Sequence, residues 1–256
     1  MRRYAVMLAA QTAYQLRLYA RSPRVVLYGA LSPILLLVLL TAISDHRGEV
    51  GYVGRLTAGM VNLGLLGTCF TTLAASLVAS RDAGVLKRLR ATPLPTWAHL
   101  TGRVLATLVV ALLQIAALIG LAVGVYGAER PGPAAALGIV LGGVTMSLVG
   151  LAVAQFIPRG DAAATLLSGV LLPVVLISGI FFPATDLPGW VATAADLLPV
   201  SHVGAVLEAG FGGAGPDAAD LAWVAGWAVL GIAVALRWFR VEPAAPRRTG
   251  RRTPVV

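Results

Sequence analysis

Six stretches of this chain, residues 25–43, 57–79, 104–126, 134–157, 163–182 and 221–238, run without Asp, Glu, Lys, Arg or His, apart from Arg237 at the very end of the last. A helix of about 20 apolar residues crosses the ~30 Å hydrocarbon layer of a membrane. Lipid leaves no water to satisfy an open backbone, so a spanning segment must be a helix or part of a closed barrel. Each run is far longer than a barrel strand of about 10 residues. The pattern therefore predicts an all-α polytopic membrane protein with six transmembrane helices. Composition agrees: 58% of the residues are hydrophobic and 12% are charged, against roughly 25% charged in a soluble domain.

A net charge of +9 invites a nucleic-acid partner. The distribution of that charge argues against one. Seventeen of the 20 basic residues fall in the segments that are cytoplasmic if the N-terminus is inside, and only Arg47, Arg55 and Arg130 fall outside. Eight of the 11 acids take the opposite side. This is the positive-inside signature, and it places both termini in the cytoplasm. Trp190, Trp223 and Trp238 lie near the expected interfaces, where an aromatic belt belongs. No apolar run follows the N-terminal arginines until residue 25, and no small-residue cleavage site is evident. Cys69 is the sole cysteine, which rules out an intramolecular disulfide.

Three regions follow from this reading. Residues 1–24 form a cytoplasmic interfacial segment in which Tyr4, Met7, Leu8, Tyr14 and Leu18 can meet lipid while the arginines meet headgroups. Residues 25–240 form the six-helix transmembrane domain. Residues 241–256 are a basic, Pro/Arg-rich cytoplasmic tail with the composition of a disordered segment.

The span interiors exclude several chemistries. Ion- and proton-coupled transporters place ionisable groups inside the membrane; here the spans lack them, and His46, His99 and His202 are expected in loops. H-E-x-x-H and G-x-x-x-x-G-K-[ST] are both absent, so neither a metalloprotease site nor a phosphate-cradling loop is expected. A lipid-processing membrane enzyme would need polar groups clustered at one face, and Asp82 and Asp161 stand alone. What the spans do hold is small and weakly polar. Gly64, Thr68, Thr72 and Ser76 recur every four residues in the second span, beside Thr71. Gly120 and Gly124 do so in the third, and Gly138 and Gly142 in the fourth, while Gln114 and Gln155 also sit inside spans. Such faces serve close helix packing; for Thr68, Thr72 and Ser76 a pathway lining is an equal reading. Pro173 is expected to kink the fifth span.

Two segments between spans carry pattern of their own. Residues 183–220 hold five acids and no Lys or Arg. Residues 187–198 read as a short interfacial helix bearing Leu187, Pro188 and Trp190, punctuated by Pro183 and Pro199. The segment is either a surface loop or an interfacial or re-entrant hairpin closing the outer side. Residues 81–95 are the second. Ser80 can cap a helix starting at Arg81, with Asp82 favourable in its first turn. Val85, Leu86 and Leu89 make an apolar face, Lys87, Arg88 and Arg90 a cationic one, and Thr92-Pro93 a stop. A mere topology anchor explains the charges, and explains less well the ordered apolar face and the Pro93-Leu94-Pro95 stop.

The string R-D-x-G-x-L-x-x-L-R-x-T-P over residues 81–93 resembles the first cytoplasmic loop of ABC-2-type transporter permeases, closest to drug-exporter permeases of the daunorubicin-resistance kind. The likeness continues through Ser178-Gly179-Ile180-Phe181-Phe182-Pro183, Leu187-Pro188-Gly189-Trp190 and Leu198-Pro199-Val200-Ser201-His202. Asp82 stands where the family more often has Glu, and Val85 where it often has Thr. The resemblance implies an exporter subunit of the cell membrane of a bacterium with no catalytic residues, metal or cofactor of its own. ATP and Mg would be bound by a separate ABC ATPase subunit. Arg81, Asp82, Gly84, Leu86, Leu89, Arg90, Thr92 and Pro93 would form the coupling helix against that subunit, between the second and third spans. It further implies a second permease half, either another copy or a sister chain. The implied substrate is hydrophobic or amphipathic and drug-like. Export of lipid or lipid-linked glycan, or a regulatory or immunity subunit that transports nothing abundant, are the alternatives.

Overall fold

Proline and glycine set the ends of most helices in this molecule. The structure, a computed structural model, describes residues 2–21, 23–44, 51–85, 95–157, 162–178, 180 and 188–238. Among these there are helices and turns and no strand. The helices are α1 (Arg2–Arg21), α2 (Pro23–Ile43), α3 (Tyr52–Leu65), a π-helical stretch (Leu66–Thr72), α4 (Leu73–Asp82), α5 (Thr96–Tyr126), α6 (Pro133–Val153), α7 (Ala162–Ile177), α8 (Gly189–Asp196), α9 (Pro199–Phe211) and α10 (Ala218–Trp238). Pro133 and Pro199 each occupy the first turn of a helix, where a missing N–H costs nothing. Gly127, at φ +67, ends α5 in the left-handed conformation that glycine reaches without strain.

Four helical rods are long and apolar enough to cross a membrane: Tyr52–Asp82, Trp97–Tyr126, Pro133–Val153 and Ala218–Arg237. α8 and α9 meet the same test as a pair bent by 87°. The first and fifth expected spans coincide with α2 and α7, both helical, with Pro33 inside one and Pro173 inside the other. The rods of the second and third expected spans begin earlier than their apolar runs. α3 starts at Tyr52 and carries Arg55 on its first turns, and α5 starts at Thr96 and carries His99 and Arg103.

α6 is the hub. It packs against α10, α9 and the π stretch, while α9 also packs on α3 and α1 lies along α5. The main core gathers Leu37, Met60, Leu65, Leu118, Met146 and Leu207, and a smaller one at the basic end gathers Leu73, Leu77, Leu151 and Leu167. Small residues permit the approach. A Cβ on Gly210 would lie 2.1 Å from the Ala135 nitrogen, and the Gly132 amide donates to the Gly210 carbonyl at 2.9 Å. Gly138 and Gly142 face Val206 and Val203 of α9, as the packing reading expects. Among the described residues Gly120 and Gly124 meet nothing within 4 Å, so that pair serves no helix contact there. Large apolar side chains point outward on several helices, among them Leu113, Leu172, Val229 and Leu236.

The outer segment holds more structure than a single short helix. α8 runs over the expected stretch, with Val191 and Ala195 buried and Trp190 exposed. α9 then turns inward and buries Val200, Val203, Val206 and Leu207. Burial on this scale makes α9 part of the core rather than of a surface loop.

Candidate functional site

The rod formed by α3, the π stretch and α4 connects the core to the basic segment, and Thr68, Thr72, Ser76, Arg81 and Asp82 are strung along it. At Leu66–Thr72 its winding loosens to π for seven residues. Two hydroxyls settle into the wider turn: Thr71 Oγ1 donates to the Leu66 carbonyl at 3.3 Å and Thr72 Oγ1 to the Gly67 carbonyl at 2.9 Å, both five residues back. Gly150 of α6 packs on the same stretch so closely that a Cβ would come 2.9 Å from the Phe70 carbonyl oxygen. π turns in membrane and soluble helices mark functional positions more often than chance.

The three candidates for a pathway lining have different surroundings. Thr68 is buried and donates to Gln114 Oε1 of α5 at 2.9 Å. Thr72 and Ser76 are half-buried, and Ser76 Oγ donates to the Leu73 carbonyl at 2.8 Å. Further polar pins hold the core: Asn62 Nδ2 donates to the Val200 carbonyl of α9 at 2.9 Å, and Thr145 Oγ1 to the Val224 carbonyl of α10 at 3.2 Å.

At the basic end the rod does not stop where the sequence pattern placed a new helix. Ser80 lies inside α4 and donates its hydroxyl to the Ser76 carbonyl at 2.7 Å, so it is not a cap. Arg81 and Asp82 are the last residues of α4, and Gly84, at φ +68, makes the turn after them. The longer helix wins here because the small and apolar residues 73–80 continue the rod with no breaker until Gly84. Arg81 Nη2 donates to the Ile157 carbonyl at 3.0 Å, beyond the end of α6. Leu86, Leu89, Arg90, Thr92 and Pro93 lie outside the described residues, as do Phe182, Pro183 and Leu187 of the outer segment. Pro188 precedes α8 and Pro199 opens α9.

Two residues expected in loops are structural. His99 is 3% exposed on α5, and His202 sits on α9, bonded to Asp220 and to the Asp196 carbonyl. Arg103, one turn beyond His99, is also buried and donates through Nη2 to Ser80 Oγ of α4. The i, i+4 spacing of His99 and Arg103 just before a long apolar run was the available signal for a shared buried face. Beside them on α1, burial holds the Tyr19 phenol above the usual tyrosine range, against the pull of Arg103 and a hydrogen bond with Ser76. Among the described residues no three His, Cys, Asp or Glu side chains gather as a metal site.

Comparison with known proteins places this arrangement. The family model described as ABC-2 type transporter matches residues 8–211. ABC transporter G family member 20 of Dictyostelium discoideum is 29% identical over 157 residues, 60% of this chain and 21% of that protein. The Escherichia coli (strain K12) protein named "Probable multidrug ABC transporter permease YbhR" is 27% identical over 132 residues, 50% of this chain and 35% of that protein. The matched stretches thus span about a third or less of these curated relatives. The family match runs from α1 to the end of α9 and takes in the π-helical rod, and the apolar rods make the molecule a multi-pass membrane protein. This chain belongs to the ABC-2 type transporter family.

Proposed function

We propose that this chain is the permease subunit of an ABC-2 exporter in the cell membrane, with six spans, both termini cytoplasmic and no ATPase site of its own. A separate ABC ATPase binds ATP and Mg and docks on the basic segment at residues 81–93. Two permease halves, identical or sister chains, form the pathway between them. The substrate is a hydrophobic or amphipathic small molecule, a choice supported by the neutral span interiors and by the multidrug name of one relative.

The observation that carries this reading is the continuous rod from Tyr52 to Asp82 in a chain of this family. The segment proposed to meet the ATPase begins on the last turn of the helix whose middle carries Thr68 and Thr72. A push on that segment acts along the helix axis. Arg81 and Arg103 tie the rod's end to the neighbourhood of α6 and to α5, so three helices receive the movement together. ATP binding then favours one of two arrangements of the halves, and transport follows from that difference in binding. Thr72 and Ser76, half-buried on the rod, are assigned to the pathway.

Co-purification with the ABC ATPases of the same cell tests the proposal, followed by ATP turnover with and without the permease. A stable complex with altered turnover supports it. No association with any ABC ATPase removes it.

A further inference from the structure

The seam between α1 and α5 holds a buried cation that the described chain does not neutralise. α1 lies directly on the first turns of α5: a Cβ on Gly102 would sit 2.7 Å from the Gln11 Cβ, and the Tyr4 and Trp97 rings meet at 5.9 Å. Three polar side chains are shut into this region, His99 at 3% exposure and Arg103 and Gln15 at 5% each. Among the described residues, both ring nitrogens of His99, Nε and Nη1 of Arg103 and Nε2 of Gln15 find no hydrogen-bond partner. The ionisable groups that act on Arg103 are Tyr19 and Tyr14, and Arg103 itself acts on His99. No carboxylate is among them.

Buried guanidinium groups are kept where an anion compensates the lost hydration, and an unfilled fork of N–H groups is costly. The region is rich in donors and short of acceptors. A neutral acceptor would fill the hydrogen bonds but leave the charge. The guanidinium fork suits a phosphate or carboxylate, bound through two N–H groups at once. The setting favours phosphate carried by lipid. α1 shows Tyr14 and Leu18 outward beside the apolar rods, the placement of a helix lying at the headgroup level. Basic pockets between membrane helices at that level bind anionic headgroups.

We infer that the seam formed by Gln15, His99 and Arg103 is a phosphate-binding site, and that its occupant is the headgroup of an anionic membrane lipid. The nitrogens are sealed in the present arrangement, so the phosphate enters as α1 lifts from α5. α1 packs chiefly on α5, with a smaller contact to α2, which makes that movement local. The inference goes beyond the exporter reading and does not depend on an ATPase partner.

The test uses the full chain, purified and stripped of lipid in detergent. Retention of short-chain phosphatidylglycerol is measured by native mass spectrometry, with phosphatidylcholine and inorganic phosphate in parallel. The expected result is retention of phosphatidylglycerol over phosphatidylcholine, reduced at least about tenfold by Arg103→Gln and unchanged by Arg130→Gln, which removes an exposed charge from the connection between α5 and α6. Competition by inorganic phosphate would identify a site open to free phosphate as well; absence of competition would assign it to lipid alone. If Arg103→Gln does not fold, a photo-reactive phosphatidylglycerol on the wild-type chain serves instead, and labelling should fall on peptides containing Gln15 or Arg103. Equal retention in wild type and Arg103→Gln, equal loss in Arg130→Gln, or labelling confined to other helices overturns the inference.

Discussion

His202 Nδ1 lies 2.7 Å from Asp220 Oδ1, and its Nε2 lies 2.8 Å from the Asp196 carbonyl oxygen. Both partners can accept a hydrogen bond from a ring nitrogen. The same ring stacks on Trp223, with centroids 5.3 Å apart and planes 3° from parallel. One side chain of α9 thus fastens the end of α8 and the start of α10. His202→Gln should lower stability by about 1–2 kcal/mol, the value of a charge-assisted hydrogen bond that is partly exposed. Asp220→Asn should cost a similar amount, and the double variant less than the sum because the two share one interaction. Thermal unfolding in detergent gives the cycle. Additive losses would show that the two residues act separately.

Glycine pairs that look alike in sequence should respond oppositely to alanine. Gly210→Ala places a methyl within 2.1 Å of the Ala135 backbone nitrogen, where no side chain can yield. The helices must separate, with a loss of about 3 kcal/mol or more. Gly120→Ala points into open space and adds helix propensity, so it should be neutral or stabilising by up to about 1 kcal/mol. Melting temperatures of the two variants in the same detergent decide the matter. A fall at Gly120 matching that at Gly210 would mean that Gly120 meets a second chain.

The three hydroxyls of the second span should also part company. Thr68→Val deletes a buried bond to Gln114 and should cost about 0.6 kcal/mol, the usual value between membrane helices, with little change in substrate preference. Thr72→Val and Ser76→Ala remove half-buried hydroxyls from the proposed pathway and should alter which compounds are exported. Export assays with several amphipathic dyes separate the two outcomes. A shared change in stability with no change in preference would reassign Thr72 and Ser76 to packing.

These contrasts show what the sequence carries and where it falls short. Charge-free runs of this length locate helices because lipid admits only helices and closed barrels of short strands, and the long rods follow them closely. Their ends did not follow, since Arg55, His99 and Arg103 continue helices into regions where hydropathy has already fallen. Amphipathic pattern found α8 but not the burial of α9, because Val200, Val203, Val206 and Leu207 gain their partners from α3 and α6, far away in the chain. The π turn has no periodic signature either. Its wide winding coincides with the packed backbone of Gly150 and with hydroxyls at Thr71 and Thr72, each of which fits an ordinary helix equally well in sequence.

The coupling assignment makes the most direct prediction. Arg81 and Asp82 end the rod, and Gly84 turns the chain into the basic segment that holds Leu86 and Leu89. In the proposed complex those leucines enter an apolar groove on the ATPase, while the cationic face stays at its rim. Replacing both by Asp buries two charges in that groove. Each mismatch costs several kcal/mol in a desolvated interface, enough to abolish a micromolar complex. The rod ends at Asp82, before the leucines in sequence, so the permease is expected to remain monodisperse with an unchanged melting temperature. Co-purified ATPase and permease-stimulated ATP turnover should both be lost. The milder Leu86→Ala should weaken association while keeping stimulation measurable. Retained association in the double Asp variant would move the docking surface to another part of the chain.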